Sequence, residues 1–133
     1  MGETARNSKV HGPSLPSSLF SRLTAKFAYS CALAVLSLLV VALGWKDQYL
    51  VFALLLAIGA GFIYVGKSRN ETILFALYGL WGASAEAIAI WLGGWNYSNP
   101  LFFGIPLWLP ILWGIAACFV LRVKEQLDAL LET

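Results

Sequence analysis

A chain of 133 residues is long enough for one domain. It is 59% hydrophobic and only 12% charged, against roughly 25% charge in a typical soluble domain, which argues against a fold that lives in water. The net charge of +2 is too small to point to nucleic acid, so no nucleic-acid partner is expected.

Residues 1–16, MGETARNSKVHGPSLP, mix glycine, proline, serine and charge without a hydrophobic period and are expected to form a flexible arm. The only histidine, His11, falls there and is expected to be solvated. The stretch SSLFSRLTAKF reads as an amphipathic lead-in, with Ser17 or Ser18 as a helix cap. Leu19, Phe20, Leu23 and Phe27 lie on one side of it, and Arg22 and Lys26 on the other.

Four apolar segments follow, at 27–45, 49–66, 72–95 and 101–121. Each is close to the roughly 20 residues an α-helix needs to cross the hydrocarbon of a bilayer. Helices satisfy their own backbone hydrogen bonds in lipid, and no strand-like alternation competes with them. The links KDQ, KSRNE and NYSNP are short, which makes consecutive helices antiparallel neighbours. The predicted architecture is an all-α bundle of four transmembrane helices, residues 17–133, with both termini on one side.

Arg6, Lys9, Arg22, Lys26, Lys67, Arg69, Arg122 and Lys124 fall on one side of such a bundle and Lys46 alone on the other. The positive-inside rule makes the crowded side cytoplasmic, and the style of the chain suggests a bacterial or archaeal cytoplasmic membrane. The tail RVKEQLDALLET is expected to prolong the last helix, with Val123, Leu127, Leu130 and Leu131 as a stripe able to dock a partner. Cys31 and Cys118 sit in apolar runs and read as small buried hydrophobes. No metal-ligand spacing occurs, so neither a metal nor another cofactor is expected.

One charge interrupts the fifty residues from Thr72 to Leu121, and it is Glu86. With the third span ending at Trp95, Glu86 lies roughly 13 Å deep. A carboxylate cannot stay against acyl chains at that depth, so it must face the bundle interior, a wet cavity or a partner. Tyr29, Ser30, Ser37, Tyr64, Tyr78, carbonyls near Pro110 and water are the available partners. Gly79, Ala83 and Ala87 form a small-xxx-small series beside it, the pattern of a close helix–helix interface.

In the last span, Pro110 is expected to bend a helix that begins near Ile105, because an interior proline frees a carbonyl one turn back. Antiparallel packing puts Pro110 to Trp113 at the level of Glu86. These features predict a pocket lined by Glu86, Tyr78, Trp81, Gly82, Trp108, Pro110 and Trp113.

Glu86, Gly94-Trp95-Asn96-Tyr97, Gly104-Ile105-Pro106-Leu107-Trp108-Leu109-Pro110 and Trp113 follow one another in an order that resembles the carotenoid-biosynthesis membrane family, which includes carotenoid hydratases. The order is also similar to that in small uncharacterised bacterial inner-membrane proteins with a Pro-x-Trp…Leu-Trp helix. The likeness covers the last two spans. It implies an isoprenoid or other long apolar substrate, with Glu86 as the catalytic proton donor or acceptor.

Three functions fit the sequence. The first is a pocket around Glu86 for an apolar, lipid-like molecule, with or without catalysis. The second is a non-catalytic subunit or assembly factor of a larger membrane complex, or a homo-oligomer, with Glu86 bonded to a helix of another chain. The third is a small proton-coupled transporter. Membrane lipids are partners in all three.

Overall fold

Each apolar segment forms a helix, but the helices stop where particular residues stop them. The computed structural model describes residue 12 and residues 14–132, so residues 1–11 and 13 of the N-terminal arm, with His11, lie outside the described residues. The helices are α1 (Ser17–Gly44), α2 (Gln48–Gly66), α3 (Arg69–Trp91) and α4 (Leu109–Leu131).

The lead-in and the first apolar segment form one helix, α1, about 42 Å long at 1.5 Å per residue. The expected serine cap is not made. Instead the Pro16 carbonyl accepts from the Leu19 and Phe20 amides at 2.9 and 3.1 Å. The Asp47 carboxylate caps α2 by accepting from the Leu50 amide at 3.1 Å. Ser68 caps α3 by accepting from the Asn70 amide at 3.2 Å.

α3 ends at Trp91, four residues before the Trp95 expected from hydropathy. Gly93 adopts φ +86, which only glycine enters at little cost. Its amide donates to the Ile90 carbonyl at 2.9 Å, and the Gly94 amide donates to Ala89 at 2.8 Å. This pair of bonds is a Schellman motif, and it terminates the helix while satisfying its last carbonyls.

α4 begins at Leu109 and not near residue 101 or 105, so the apolar run 101–121 is only partly helical. Residues 102–105 form a tight turn in which the Ile105 amide donates to the Phe102 carbonyl at 3.0 Å, with Phe103 and Gly104 both at positive φ. Pro110 therefore stands in the first turn of α4, where its missing amide costs nothing, and the expected kink does not arise. Residues 92–108 are a tucked loop, and its Ile105, Pro106 and Trp108 are buried.

Three helices, α1, α2 and α3, are long and apolar enough to cross a membrane; α4 is not among them. Its apolar part, 109–121, covers only ~20 Å before the charged residues from Arg122 onward. Yet α4 is the central element. It packs against α1, α2 and α3, while α2 and α3 barely touch and α1 and α3 make no contact. Val51, Leu55, Ile58, Phe62, Ile115 and Cys118 form the core around it. Outward faces are equally apolar, with Leu38, Leu43, Leu80 and Trp91 exposed.

The start of α1 and the end of α4 meet at one end of the bundle. Lys26 pairs with Glu125 at 3.4 Å, and the Gln126 amide donates to Thr24 at 3.3 Å. Beneath them Arg122, 1% exposed, makes a two-pronged ion pair with the buried Glu71 carboxylate in the first turn of α3. The second prong, Nη2 to Oε2, is 2.5 Å. Gly66 provides the space: a Cβ there would overlap the Glu71 carboxylate. The inward face of the α4 tail is thus Arg122, Gln126 and Ala129, and Leu127 and Leu131 point outward.

At the opposite end the Gln48 side chain ties α2 to the tucked loop at two points. The Gln48 amide nitrogen donates to the Asn99 carbonyl at 2.7 Å, and its oxygen accepts from the Leu107 amide at 2.8 Å. Asn99 in turn donates to the Lys46 carbonyl at 3.3 Å.

Removing one member of a buried ion pair strands the other, at a cost of about 3–5 kcal/mol. Arg122→Met and Glu71→Leu should therefore each strongly lower the unfolding midpoint in detergent. The double variant should recover most of the loss, because no charge is then left unpaired. A double variant as unstable as the sum of the singles would contradict this account.

Candidate functional site

Glu86 lies five residues before the end of α3, so the Schellman stop at Trp91 brings it to ~7 Å from the helix terminus. It is half-buried. One carboxylate oxygen, Oε1, accepts from the Trp113 indole Nε1–H at 2.8 Å. The other, Oε2, accepts from the Tyr97 hydroxyl in a short hydrogen bond. Tyr97 comes from the tucked loop and Trp113 from the second turn of α4, so three separate elements meet at this carboxylate. Among the described residues, none of the side chains expected from sequence bonds it. Ser30 and Ser37 instead bond the Lys26 and Leu33 carbonyls of their own helix at 2.9 and 2.8 Å. They belong to α1, which does not reach α3.

Glycines let Trp113 arrive. The Trp113 ring lies directly on Gly82, where a Cβ would overlap the indole. One turn earlier Gly79 faces the Pro110 carbonyl, and a Cβ there would meet it at 2.7 Å. Ala83 is buried in the same seam, and Ala87 packs against the core. The small-residue series is accordingly an interface within the chain, between α3 and α4.

The other residues singled out in the sequence are dispersed. Trp81 is 74% exposed on the outer face of α3 and borders a shallow hollow with Leu77 and Tyr78. Tyr78 and Trp113 flank a second groove of about 330 Å³ running along Ala116, Ala117 and Val120 towards Lys124. Trp108, 6% exposed, belongs to a third space. That cavity, about 280 Å³, is lined by Val41, Ala42, Trp45, Tyr97, Ser98, Asn99, Pro106 and Trp108. Among the described residues, Trp81, Trp113 and Trp108 thus border three different spaces, and neither Glu86 nor Pro110 lines any of the three.

Tyr97 links the pieces. Its hydroxyl holds Glu86, its ring meets Trp108 edge-to-face at 6.2 Å, and the residue also lines the cavity. Burial, then the hydrogen bond to Glu86 and the charge of Glu86, push the Tyr97 phenol well above its usual value of 10.0. Among the described residues no cation pairs with Glu86, and no group of His, Cys, Asp and Glu could hold a metal ion.

Chemically, the two partners of Glu86 are unlike. An indole can only donate, whereas a phenol can donate or accept. The Trp113 bond to Oε1 therefore persists whether or not Oε2 carries a proton, and the Tyr97 hydroxyl can turn to suit either state. The cluster can hold or release one proton without rearranging its heavy atoms.

No family model, curated protein or solved structure matches this chain.

Two measurements test that geometry. Gly82→Ala should displace the Trp113 ring, costing about 1–3 kcal/mol as overpacking does, and should shift the tryptophan emission; an unchanged spectrum and stability would refute the close approach. The raised Tyr97 phenol also has a sign. The unfolded chain ionises this phenol near pH 10 and the folded chain does not, so stability is intact below that pH and falls as pH rises past it. The alkaline fall in unfolding midpoint should be smaller in Tyr97→Phe than in the wild type.

Proposed function

We propose that this chain is a small integral membrane protein that binds an apolar, lipid-like molecule beside the Glu86–Tyr97–Trp113 cluster. One observation carries the proposal: Tyr97 is at once the hydrogen-bond donor to a carboxylate and a wall of the neighbouring cavity. A molecule in that cavity would have its apolar part against Val41, Ala42 and Pro106. Its reactive or polar end would lie one phenol ring from a group able to give or take a proton.

The proposal includes four crossings, with both termini cytoplasmic in a bacterial or archaeal membrane. α1, α2 and α3 supply three crossings by length and composition. α4 completes the fourth together with the end of the tucked loop, where Ile105, Pro106 and Trp108 pack their non-helical backbone against protein. The orientation rests on Arg22, Lys26, Lys67, Arg69, Arg122 and Lys124 gathering at one end, against Lys46 at the other. The resemblance of the last two segments to carotenoid-biosynthesis membrane proteins supports an isoprenoid-type ligand.

Glu86→Gln can keep both hydrogen bonds, its oxygen accepting from Trp113 and its amide donating to Tyr97, while removing the charge and the proton. The variant should fold with unchanged helix content. Mass spectrometry of the protein purified in mild detergent should find an apolar molecule retained by the wild type and lost or much reduced in the variant. Equal retention would remove the carboxyl from the binding site. Reporter fusions at the two termini should report the same, cytoplasmic side; a C-terminal reporter on the far side would overturn the topology.

A further inference from the structure

The turn at residues 102–105 breaks a local rule. Phe102 and Ile105 form an antiparallel bridge, and Phe103 and Gly104 between them both take positive φ, 50° and 77°. Such a two-residue turn ordinarily carries Asn-Gly or Asp-Gly, because a bulky side chain is strained in the left-handed region. Here a phenylalanine stands first, and it is 82% exposed. A strained position kept for an exposed aromatic points to a role for the side chain itself.

Its level follows from α3. The apolar part of α3 begins at Thr72, and Ile90 lies ~27 Å further along the helix. That is inside the roughly 30 Å of hydrocarbon that a crossing helix spans. The turn rests against this level, since a Cβ on Gly104 would meet Ile90 Cγ2 at 2.8 Å. Phe103 and Gly104 share a hollow of about 410 Å³ with Ala87, Ile88, Ile90 and Trp91, none of them polar. Trp91 is 84% exposed, and Phe102 meets Phe103 edge-to-face at 6.0 Å.

No residue from 87 to 121 is charged, so nothing on this stretch draws the tip into water. The Leu101 and Phe102 amides both donate to the Ile105 carbonyl, at 3.0 and 3.4 Å, and the Ile105 amide returns a bond to Phe102 at 3.0 Å. The turn thus bonds much of its own backbone, as a segment at lipid level must. Charge at this end lies elsewhere, in the link of Lys46 and Asp47, where Asn99 donates to the Lys46 carbonyl. An exposed apolar patch of this kind marks a surface that meets protein or lipid, and the level of Ile90 selects lipid.

We propose that the 102–105 turn is a membrane-seated wedge: Phe103 enters the leaflet at the end opposite Arg122, and an acyl chain of a bilayer lipid fills the hollow between it and the last turns of α3. This rests on the reading of the chain as a four-crossing membrane protein and not on ligand binding beside Glu86. Lipid at the tip and Gln48 at Asn99 then hold the loop that carries Tyr97 from two sides.

The test uses the full chain with Cys31→Ala and Cys118→Ala, reconstituted in phosphatidylcholine vesicles. One new cysteine at a time carries a polarity-sensitive fluorophore: Phe103→Cys at the tip, Leu38→Cys on the exposed face of α1 as the lipid reference, and Lys46→Cys in the exposed link as the water reference. Each variant is first matched to the wild type in helix content. The Phe103 label should emit at the blue wavelength of the Leu38 label and be quenched by lipids brominated on the acyl chain, while iodide in the water quenches only the Lys46 label. A Phe103 label that emits like the Lys46 label and is quenched by iodide puts the tip in water and overturns the proposal. A blue label that brominated lipid does not quench is covered by a second copy of the chain, which overturns it too. If iodide also reaches the Leu38 label, the crossing topology itself falls. Phe103→Asn gives a label-free check in the wild-type background. It suits the left-handed backbone, so a tip in water would gain stability from it, whereas a tip seated in lipid should show a lower unfolding midpoint in vesicles. A midpoint unchanged or raised would count against the wedge.

Discussion

Helix α3 is fastened to α4 at two levels, each time through a carboxylate. Near one end Glu71 is gripped by Arg122, and near the other Glu86 is held by Trp113. Between the two points the helices run together over glycine: Gly79 against the Pro110 carbonyl, Gly82 under the Trp113 ring, and Gly114 against the Phe75 carbonyl. A slide of either helix by one residue would part both carboxylates from their donors and drive side chains into backbone. Register is therefore set by polar bonds and backbone proximity together, and the remaining helices pack on a pair whose alignment is already fixed.

That division of labour follows from the surroundings. In water a bundle gathers because its apolar face avoids solvent. Here the outward faces of α1 and α3 are as apolar as the inward ones, with Leu38, Leu43, Leu80 and Trp81 exposed, so hydrophobicity cannot tell inside from outside. Close backbone approach and satisfied polar groups are what remain to specify the interior. The buried side chains of α1 fit this, since they are two serines, each bonded to its own helix. So does α4, which occupies the centre and brings Arg122 and Gln126 to be buried there.

The existence and order of the helices were legible in the sequence, because length and hydropathy alone define them. The small-residue seam was legible too, from the spacing of Gly79, Ala83 and Ala87. Hydropathy could not locate helix ends, because Gly93 and the residues 102–105 turn break helices within runs that stay apolar. The shorter α3 in turn brings Glu86 nearer the bundle end and within reach of a loop tyrosine. Tyr97 appeared in the sequence only as part of a turn, and its bond to Glu86 needed the loop to fold back. The Glu71–Arg122 pair was hidden for another reason: both residues sit at segment boundaries, Glu71 in the link KSRNE and Arg122 at the head of the tail. One signal could have found it, since antiparallel α3 and α4 put the first turn of one level with the second half of the other.

The two carboxylates of α3 also differ in what they can do. Glu71 meets a guanidinium in a planar two-pronged bond, has its charge matched inside the protein, and lies against Gly66 with no space around it. Such a pair specifies position and has little room for chemistry. Glu86 has only neutral donors, one of them a phenol that can reverse its hydrogen bond, and that phenol borders a cavity. A fold that needed this carboxylate only for alignment could have matched its charge as it did at Glu71. Glu86 is left without a cation among the described residues, half-buried and bonded to a tyrosine that lines a cavity. On these grounds the functional reading attaches to Glu86, and Glu71 is assigned to the scaffold.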